Sequence, residues 1–218
     1  MAPDSISILI PAAGQGTRLG LGPKALLEIG GRPLVAWLAA KALRVAAEVL
    51  VAAPPGAEAQ FAALCPGCRV IAGGDTRQGS VAVLAHAAGG DWLLIHDVTR
   101  PFASEALLRA AAAAARETGA AAAFASPEVP VARLREGRVL EALPTAEAGI
   151  FQSPQVFRRE LLLPILARAD AAGWQAQSTL QLVLRAGLSV AAVPGEKTNI
   201  KLTTAQDWTL AQSLKELL

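Results

Sequence analysis

The chain has 218 residues, a length that favours one domain at roughly 150 residues per domain. Hydrophobic residues make up 53% of the chain, which excludes intrinsic disorder, and a core of this size needs no disulfide or structural metal. The formal net charge is +2 and no Lys/Arg run is present, so the composition gives no support for a nucleic acid or a membrane surface as a partner.

The N-terminal apolar run at 6–13 is too short to span a membrane, and no basic residue precedes it. We therefore expect a cytoplasmic protein without a signal peptide. The two cysteines, Cys65 and Cys68, form a C-x-x-C pair, a spacing that redox pairs also use. No second pair completes a zinc site, so we favour two reduced thiols in a loop.

Short β-rich runs alternate with helical patterns along the chain. The predicted strands are Ser5–Pro11, Glu48–Ala53, Arg69–Ala72, Trp92–His96, Ala120–Ala125 and Ser189–Pro194, and the predicted helices are Leu34–Arg44, Glu58–Leu64, Arg77–Ala87 and Glu105–Thr118. Some of these strands are apolar nearly throughout, which indicates burial on both faces. We predict an α/β fold with a mostly parallel, Rossmann-like sheet covered by helices on both faces. In such sheets ligands bind beyond the carboxyl ends of the strands.

The segment 127–152 breaks this alternation. It is rich in proline and contains a turn signal at Glu136-Gly137, with weakly alternating runs at 129–134 and 138–143 on either side. This pattern predicts a β-hairpin arm that protrudes from the sheet.

A glycine-rich loop follows the first predicted strand, and its sequence is Pro11-Ala-Ala-Gly-Gln-Gly-Thr-Arg18-Leu-Gly-Leu-Gly-Pro-Lys24. Glycines let backbone N–H groups approach phosphate oxygens, while Arg18 and Lys24 add positive charge. The spacing fits neither the dinucleotide fingerprint nor the P-loop. The loop therefore predicts a phosphate site of another kind.

A second motif, Gly73-Gly-Asp75-Thr-Arg77-Gln-Gly-Ser80, follows the third predicted strand. Paired glycines allow a ligand to lie against the backbone, and the Ser80 hydroxyl can bond a base or a phosphate. The alternative is an ordinary helix start in which Asp75 is the N-cap and Arg77 lies on the surface.

A third motif, His96-Asp97-Val-Thr-Arg100, follows the fourth predicted strand. A carboxylate at the end of a buried strand is well placed to hold Mg²⁺ near a triphosphate. Arg100 is expected to pair with Asp97 or with a phosphate. The alternative is an Asp97–Arg100 ion pair with a purely structural role.

A fourth motif runs from Gly195 to Thr203, after the last predicted strand. Thr203 is the predicted N-cap of a helix, and Lys201 lies just before it. Lys201 is either a phosphate-binding cation or a solvated lysine.

Together these motifs resemble the 2-C-methyl-D-erythritol 4-phosphate cytidylyltransferases, from Ile6 to about Leu214. The resemblance rests on Pro11-Ala-Ala-Gly-x-Gly-x-Arg18 with Pro23-Lys24, Gly-Gly-x-x-Arg77-x-x-Ser80-Val, His96-Asp97-x-x-Arg100-Pro101, Ser153-Pro-Gln-x-Phe157 and Asn199-Ile-Lys201-x-Thr203. It implies one nucleotidyltransferase domain over 1–218, with an arm at about 127–152 that reaches over a partner subunit in a homodimer. It also implies transfer of CMP from CTP to 2-C-methyl-D-erythritol 4-phosphate, with Mg²⁺ as cofactor and pyrophosphate as product.

The same resemblance implies residue roles. Arg18, Lys24 and Lys201 are the expected catalytic cations, Asp97 is the expected metal ligand, and the expected substrate-binding residues are Pro11, Ala12, Ala13, Gly14, Gln15, Gly16, Gly74, Asp75, Ser80, Arg100 and Thr145.

The chain also departs from the family pattern. Thr145 stands where the family has an arginine that grips the acceptor phosphate, and Thr198 stands where it has a second metal-binding Asp. An acidic stretch is replaced by Gln177-Ser-Thr179. The nucleotide half thus matches better than the acceptor half. Two alternatives follow: a cytidylyltransferase for another polyol phosphate such as ribitol 5-phosphate, or a catalytically weak nucleotide-binding homologue.

Overall fold

The computed structural model describes residues 4–14 and 22–218. Its strands are β1 (Ile6–Pro11), β2 (Glu28–Ile29), β3 (Arg32–Pro33), β4 (Glu48–Ala53), β5 (Arg69–Ala72), β6 (Trp92–Ile95), β7 (Ala120–Ala125), β8 (Val131–Arg135), β9 (Arg138–Leu143), β10 (Ile150–Arg158) and β11 (Ala191–Pro194). Its α-helices are α1 (Leu34–Leu43), α2 (Glu58–Leu64), α3 (Arg77–Ala87), α4 (Glu105–Thr118), α5 (Arg159–Ala171), α6 (Thr179–Arg185) and α7 (Ala205–Ser213).

The main sheet of the described chain has seven strands in the order β11-β7-β10-β6-β1-β4-β5. All of its pairings are parallel except those of β10, which runs antiparallel to both β6 and β7. The carboxyl ends of the other six strands therefore meet at one edge. The predicted α/β class and mostly parallel sheet are confirmed, whereas β10, α5 and α6 were not predicted.

Side-chain alternation along the strands divides the core into two layers. In β1, Ile8 and Ile10 pack on one face with Leu34 of α1 and Leu107 of α4, whereas Leu9 packs on the other. The layer around Leu9 contains buried side chains of α3, α5 and α6, among them Leu84, Leu162 and Leu182. A strand between two helical layers is buried on both sides, which is why its sequence is apolar at successive positions.

Two helix caps differ from their predicted positions by one residue. Thr76 rather than Asp75 is the N-cap of α3, and its side chain accepts a hydrogen bond from the Gly79 amide. Thr204 rather than Thr203 is the N-cap of α7, where Asp207 completes a capping box. The cap predictions at Asp75 and Thr203 were wrong because a neighbouring threonine satisfies the same amides, and either oxygen type can cap.

The predicted hairpin arm is present as β8 and β9, which pair only with each other in a separate antiparallel sheet of the described chain. Glu136 and Gly137 form the turn, both at positive φ. The arm exposes large apolar side chains, namely Val129, Leu134, Val139 and Leu140. A two-stranded hairpin with exposed apolar residues is marginal in isolation.

Burial raises the pKa of Cys65 to about 12 and that of Cys68 to about 11. Both thiols are therefore protonated at neutral pH and are poor nucleophiles, which supports the interpretation of two reduced structural thiols. Within the described residues, no helix is long and apolar enough to cross a bilayer.

Candidate active site

A cleft of about 1190 Å³ opens at the carboxyl edge of the sheet. Ten of the residues predicted from the sequence line it: Pro11, Ala12, Ala13, Gly14, Lys24, Gly74, Asp75, Ser80, Asp97 and Lys201. Three others, Gln15, Gly16 and Arg18, lie outside the described residues. The parallel strands bring motifs separated by up to about 190 positions in sequence to one edge, as the fold requires.

The loops that follow β1 and β5 touch at the floor of the cleft. A Cβ atom on Gly73 would lie 2.5 Å from the Ala13 Cβ and 2.9 Å from the Ser80 Oγ. A Cβ atom on Gly74 would lie 2.9 Å from the Gly79 carbonyl carbon. Glycine is therefore needed at 73, where the loop after β1 and Ser80 leave no space for a side chain, and at 74, where the first turn of α3 leaves none.

Lys24 begins a short 3₁₀ turn, Lys24–Leu26, beside the cleft. Its Nζ donates to the carbonyl oxygens of Leu202 at 2.9 Å and Thr203 at 3.4 Å. These bonds tie the first motif to the fourth, although about 180 residues separate them in sequence.

Asp97 follows β6 and holds cations from two other elements. Arg77, the first residue of α3, donates from Nε to Oδ1 at 2.8 Å, and a terminal nitrogen of its guanidinium lies 2.7 Å from the same oxygen in an ion pair. Lys201 donates from Nζ to Oδ2 at 3.1 Å. Both carboxylate oxygens are thus engaged, and we call these three residues the charge triad.

Two opposing effects act on the pKa of Asp97. Burial raises it, but the charges of Arg77 and Lys201 and their hydrogen bonds lower it by more, so the pKa lies well below its ordinary value. The Asp97 side chain is only 13% exposed, whereas that of Lys201 is 40% exposed. Asp97 therefore stays ionised at any physiological pH, and Lys201 keeps access to the cleft.

Arg100 does not pair with Asp97. Its guanidinium donates to the carbonyl oxygen of Asn199 at 2.5 Å and to that of Phe151 at 2.9 Å. It is buried, and it is not among the residues that line the cleft. The prediction of an Asp97–Arg100 ion pair was wrong. Arg77, at the start of α3, pairs with the carboxylate instead. Contact of Arg100 with substrate stays a prediction.

The remaining predicted residues take different positions. The Ser80 hydroxyl is buried and donates to the Gly74 carbonyl at 3.2 Å, whereas the Asp75 side chain is exposed in the cleft. Thr145 lies in a 3₁₀ turn at the base of the arm and is not among the residues that line the cleft. Its role as a substrate-binding residue stays a prediction.

Residues 173–177 also line the cleft and were not predicted as part of the site. The Trp174 carbonyl accepts a hydrogen bond from Gln78, and Thr179 Oγ1 accepts one from Arg77 at 3.4 Å. Gln177 lines the cleft, and Ser178 is the N-cap of α6. The capping-box pattern Ser178-x-x-Gln181 was the available sequence signal for this turn.

Comparison with known proteins places these features in one family. A family model described as 2-C-methyl-D-erythritol 4-phosphate cytidylyltransferase (IspD) matches residues 6–216. The enzyme of that name from Thermus thermophilus is 45% identical over 213 residues, which cover 96% of each chain. The one from Deinococcus radiodurans is 43% identical over 94% of this chain and 88% of the relative.

Solved structures agree with the sequence comparison. The crystal structure of the Thermus thermophilus enzyme matches with a TM-score of 0.82 at 40% identity, over 97% of this chain and 99% of that one. The 4-diphosphocytidyl-2C-methyl-D-erythritol synthase of Anaerococcus prevotii matches with a TM-score of 0.87 at 25% identity, over 98% and 99% of the two chains.

His96, in the loop after β6, gives a testable prediction about how stability depends on pH. His96 is fully buried, and its Nε2 must carry the proton because it faces the Arg100 carbonyl at 2.9 Å. Burial lowers the pKa of His96 to about 4. The unfolded chain takes up a proton near pH 6.5 and the folded protein does not, so stability falls as the pH falls from about 6.5 towards 4.

We therefore expect the free energy of unfolding to drop by about 2 kcal/mol between pH 7 and pH 5 because of His96 alone. Urea denaturation at both pH values measures it, and His96→Gln should lose correspondingly less between them than the wild type. His86→Gln, at an exposed position of α3, is the matched control and should behave as the wild type. An equal loss in the wild type and His96→Gln would contradict the neutral, buried state of this imidazole.

Proposed function

Because this chain belongs to the 2-C-methyl-D-erythritol 4-phosphate cytidylyltransferase family, we propose that it transfers CMP from CTP to 2-C-methyl-D-erythritol 4-phosphate in non-mevalonate isoprenoid precursor synthesis. The observation that carries the proposal is the pair of lysines, Lys24 and Lys201, beside one cleft whose floor is glycine-rich. Lysine ammonium groups next to closely approachable backbone suit a triphosphate.

The reaction is a displacement at phosphorus. A phosphate oxygen of the acceptor forms a bond to the α-phosphorus of CTP, the bond from that phosphorus to the bridging oxygen breaks, and pyrophosphate leaves with the electron pair. The acceptor phosphate is already an anion, so no general base has to remove a proton. Catalysis then depends on in-line positioning and on neutralising charge around the phosphorus.

Lys24, Lys201 and Arg18 are the proposed sources of that neutralisation. Lys201 pairs with Asp97, but its side chain is 40% exposed and can also face a phosphate. Lys24 lines the cleft, and the carbonyl oxygens of Leu202 and Thr203 hold its ammonium group there. Arg18, the third proposed cation, lies outside the described residues.

Mg²⁺ is proposed to arrive with the triphosphate. In the described residues, no group of three or more His, Cys, Asp or Glu side chains could hold a metal, and both oxygens of Asp97 face cations. One carboxylate plus phosphate oxygens and water nevertheless fits the ligand set that Mg²⁺ uses beside nucleotides. When bound, the ion would neutralise charge on the phosphates. The neutral Thr198 provides no second carboxylate.

The proposal predicts a nucleotide preference. Pyrophosphate release with Mg²⁺ and 2-C-methyl-D-erythritol 4-phosphate should be much faster with CTP than with UTP, ATP or GTP. Replacing the acceptor by ribitol 5-phosphate tests the other polyol substrate. Release with ATP at the same rate as with CTP, or binding of CTP without release from any acceptor, would contradict the proposed activity.

Matched lysine variants locate that activity in the cleft. Lys24→Ala and Lys201→Ala should each lower turnover by about 10²-fold or more, the typical cost of losing one transition-state contact. Lys215→Ala is the control, because this lysine lies in the exposed C-terminal turn, where its ammonium is 4.0 Å from the Glu216 carboxylate. Its turnover should equal that of the wild type.

A homodimer that packs through the arm is part of the proposal. Leu134 and Val139 are cross-strand partners in the hairpin and are 66% and 70% exposed. Burial of this pair against a second copy would supply the core that the hairpin lacks, and a twofold dimer is the commonest such assembly.

A cytoplasmic location is also part of the proposal. The free thiols Cys65 and Cys68 support it, because the cytoplasm keeps thiols reduced.

Sedimentation tests whether the arm forms the dimer interface. The wild type should sediment as a dimer, and the double variant Leu134→Glu/Val139→Glu should sediment as a monomer because four buried charges oppose the interface. Leu210→Glu is the control, since Leu210 is an exposed leucine of α7, away from the arm. If the arm variant keeps the mass of the wild type, the arm is not the interface.

A further inference from the structure

The segment 199–203 carries Lys201 and receives the Lys24 side chain, yet it contains no helix or strand. Its position has to come from contacts with neighbouring elements. One is a backbone bond, from the Leu202 amide to the Thr99 carbonyl at 2.8 Å. Asp207 of α7 accepts a hydrogen bond from the Thr203 amide at 2.8 Å. Further contacts come from three buried side chains, Arg100, Gln152 and Asn199, which we call the buried clamp.

Gln152, in β10, holds both backbone groups of Glu196 at the start of the turn. Its Nε2 donates to the Glu196 carbonyl at 2.9 Å, and its Oε1 accepts from the Glu196 amide at 3.2 Å. The same Oε1 accepts from Asn199 Nδ2 at 3.0 Å. One amide side chain therefore fixes both ends of the 196–199 turn against the sheet.

Asn199 is fully buried and anchors the turn from the other side. Its Nδ2 also donates to the Ser153 carbonyl at 2.8 Å. The Ser153 hydroxyl in turn accepts a hydrogen bond from the Asp97 amide at 3.1 Å. Asp97, which pairs with Lys201, and Asn199, two positions before Lys201, are thus both bonded to Ser153 of β10.

Arg100 completes the clamp by joining the loop after β6 to the turn and to β10. Its two terminal nitrogens donate to the carbonyls of Asn199 and Phe151, and no carboxylate pairs with it among the described residues. Burying a cation that has only carbonyl partners is unfavourable, and burial lowers its pKa. An apolar side chain could fill the space with a smaller desolvation penalty, but it could not fix the Asn199 carbonyl.

We propose that Arg100, Gln152 and Asn199 are positioning residues, which act through the backbone of 199–203 to hold Lys201 against Asp97 and to present the carbonyls that receive Lys24. The proposal rests on the proposed cytidylyl transfer. Its consequence is that the clamp affects the chemical step more than nucleotide binding, because it sets where the cations stand when charge develops at the phosphorus.

Lys41 offers a matched control for Arg100. It is also a buried cation, and its Nζ donates to two carbonyls of the same loop, those of Pro101 and Ala103, each at 2.8 Å. Neither of these bonds reaches residues 199–203. Lys41→Met and Arg100→Met therefore each remove a buried cation and two hydrogen bonds to carbonyls. Only Arg100→Met should make residues 199–203 more mobile.

The test measures kcat, the KM for CTP and amide hydrogen exchange of residues 199–203 on folded protein. Arg100→Met should lower kcat at least tenfold, change KM less than threefold and speed exchange of the Leu202 amide at least tenfold. Arg100→Lys should recover part of kcat. Lys41→Met should stay within twofold of the wild type in kcat and in exchange of this segment.

Equal losses of kcat in Lys41→Met and Arg100→Met would overturn the proposal, as would unchanged exchange of the segment in Arg100→Met. If Arg100→Met does not fold, Gln152→Met replaces it with the same expected results, since it removes an uncharged member of the clamp. If the wild type transfers no cytidylyl group, the proposed function fails, but the exchange comparison still decides whether the clamp holds the segment.

Discussion

The ion pairs of Asp97 are the interaction on which the cleft depends. A carboxylate at the end of a buried strand needs compensating charge, and it receives that charge from Arg77 at the start of α3 and from Lys201 in the loop before α7. These cations bring two elements to the end of β6, and Lys24 then bonds to the carbonyl of the residue after Lys201. Lys24, the glycine floor and the last motif are thereby joined around one buried anion.

This arrangement also explains how the site can accept a highly charged substrate. Within the charge triad, one carboxylate balances two cations, so an excess of positive charge faces the cleft before nucleotide binds. By the resemblance, the family has an acidic residue at 198 and an acidic stretch at 177–179, where this chain has Thr198 and Gln177-Ser-Thr179. Fewer fixed negative charges leave more of the Lys201 and Arg77 charge uncompensated at the cleft.

The sequence predicted the parts of the fold that local pattern determines. Apolar strands such as β1 and β6, the glycine loops and the Glu136-Gly137 turn all carry their signal in a few adjacent residues. The partner of Asp97 was not predictable in this way, since Arg77 and Arg100 both follow strands and only the packing of α3 decides between them. The reversal of β10 was missed because its sequence reads as an extension of the arm. Gln152 and Asn199 were missed because a buried amide is recognisable only once its partners are brought together.

The most direct measurement of this account is the coupling free energy between Asp97 and Arg77. A double-mutant cycle of Asp97→Asn and Arg77→Met, followed by urea denaturation at pH 7, removes the contribution of the Arg77–Thr179 hydrogen bond, which is lost in both variants that lack Arg77. Because the two side chains are only 13% and 27% exposed, we predict a favourable coupling of about 1–2 kcal/mol. A coupling below about 0.3 kcal/mol, the level of independent sites, would contradict the claim that this carboxylate assembles the cleft.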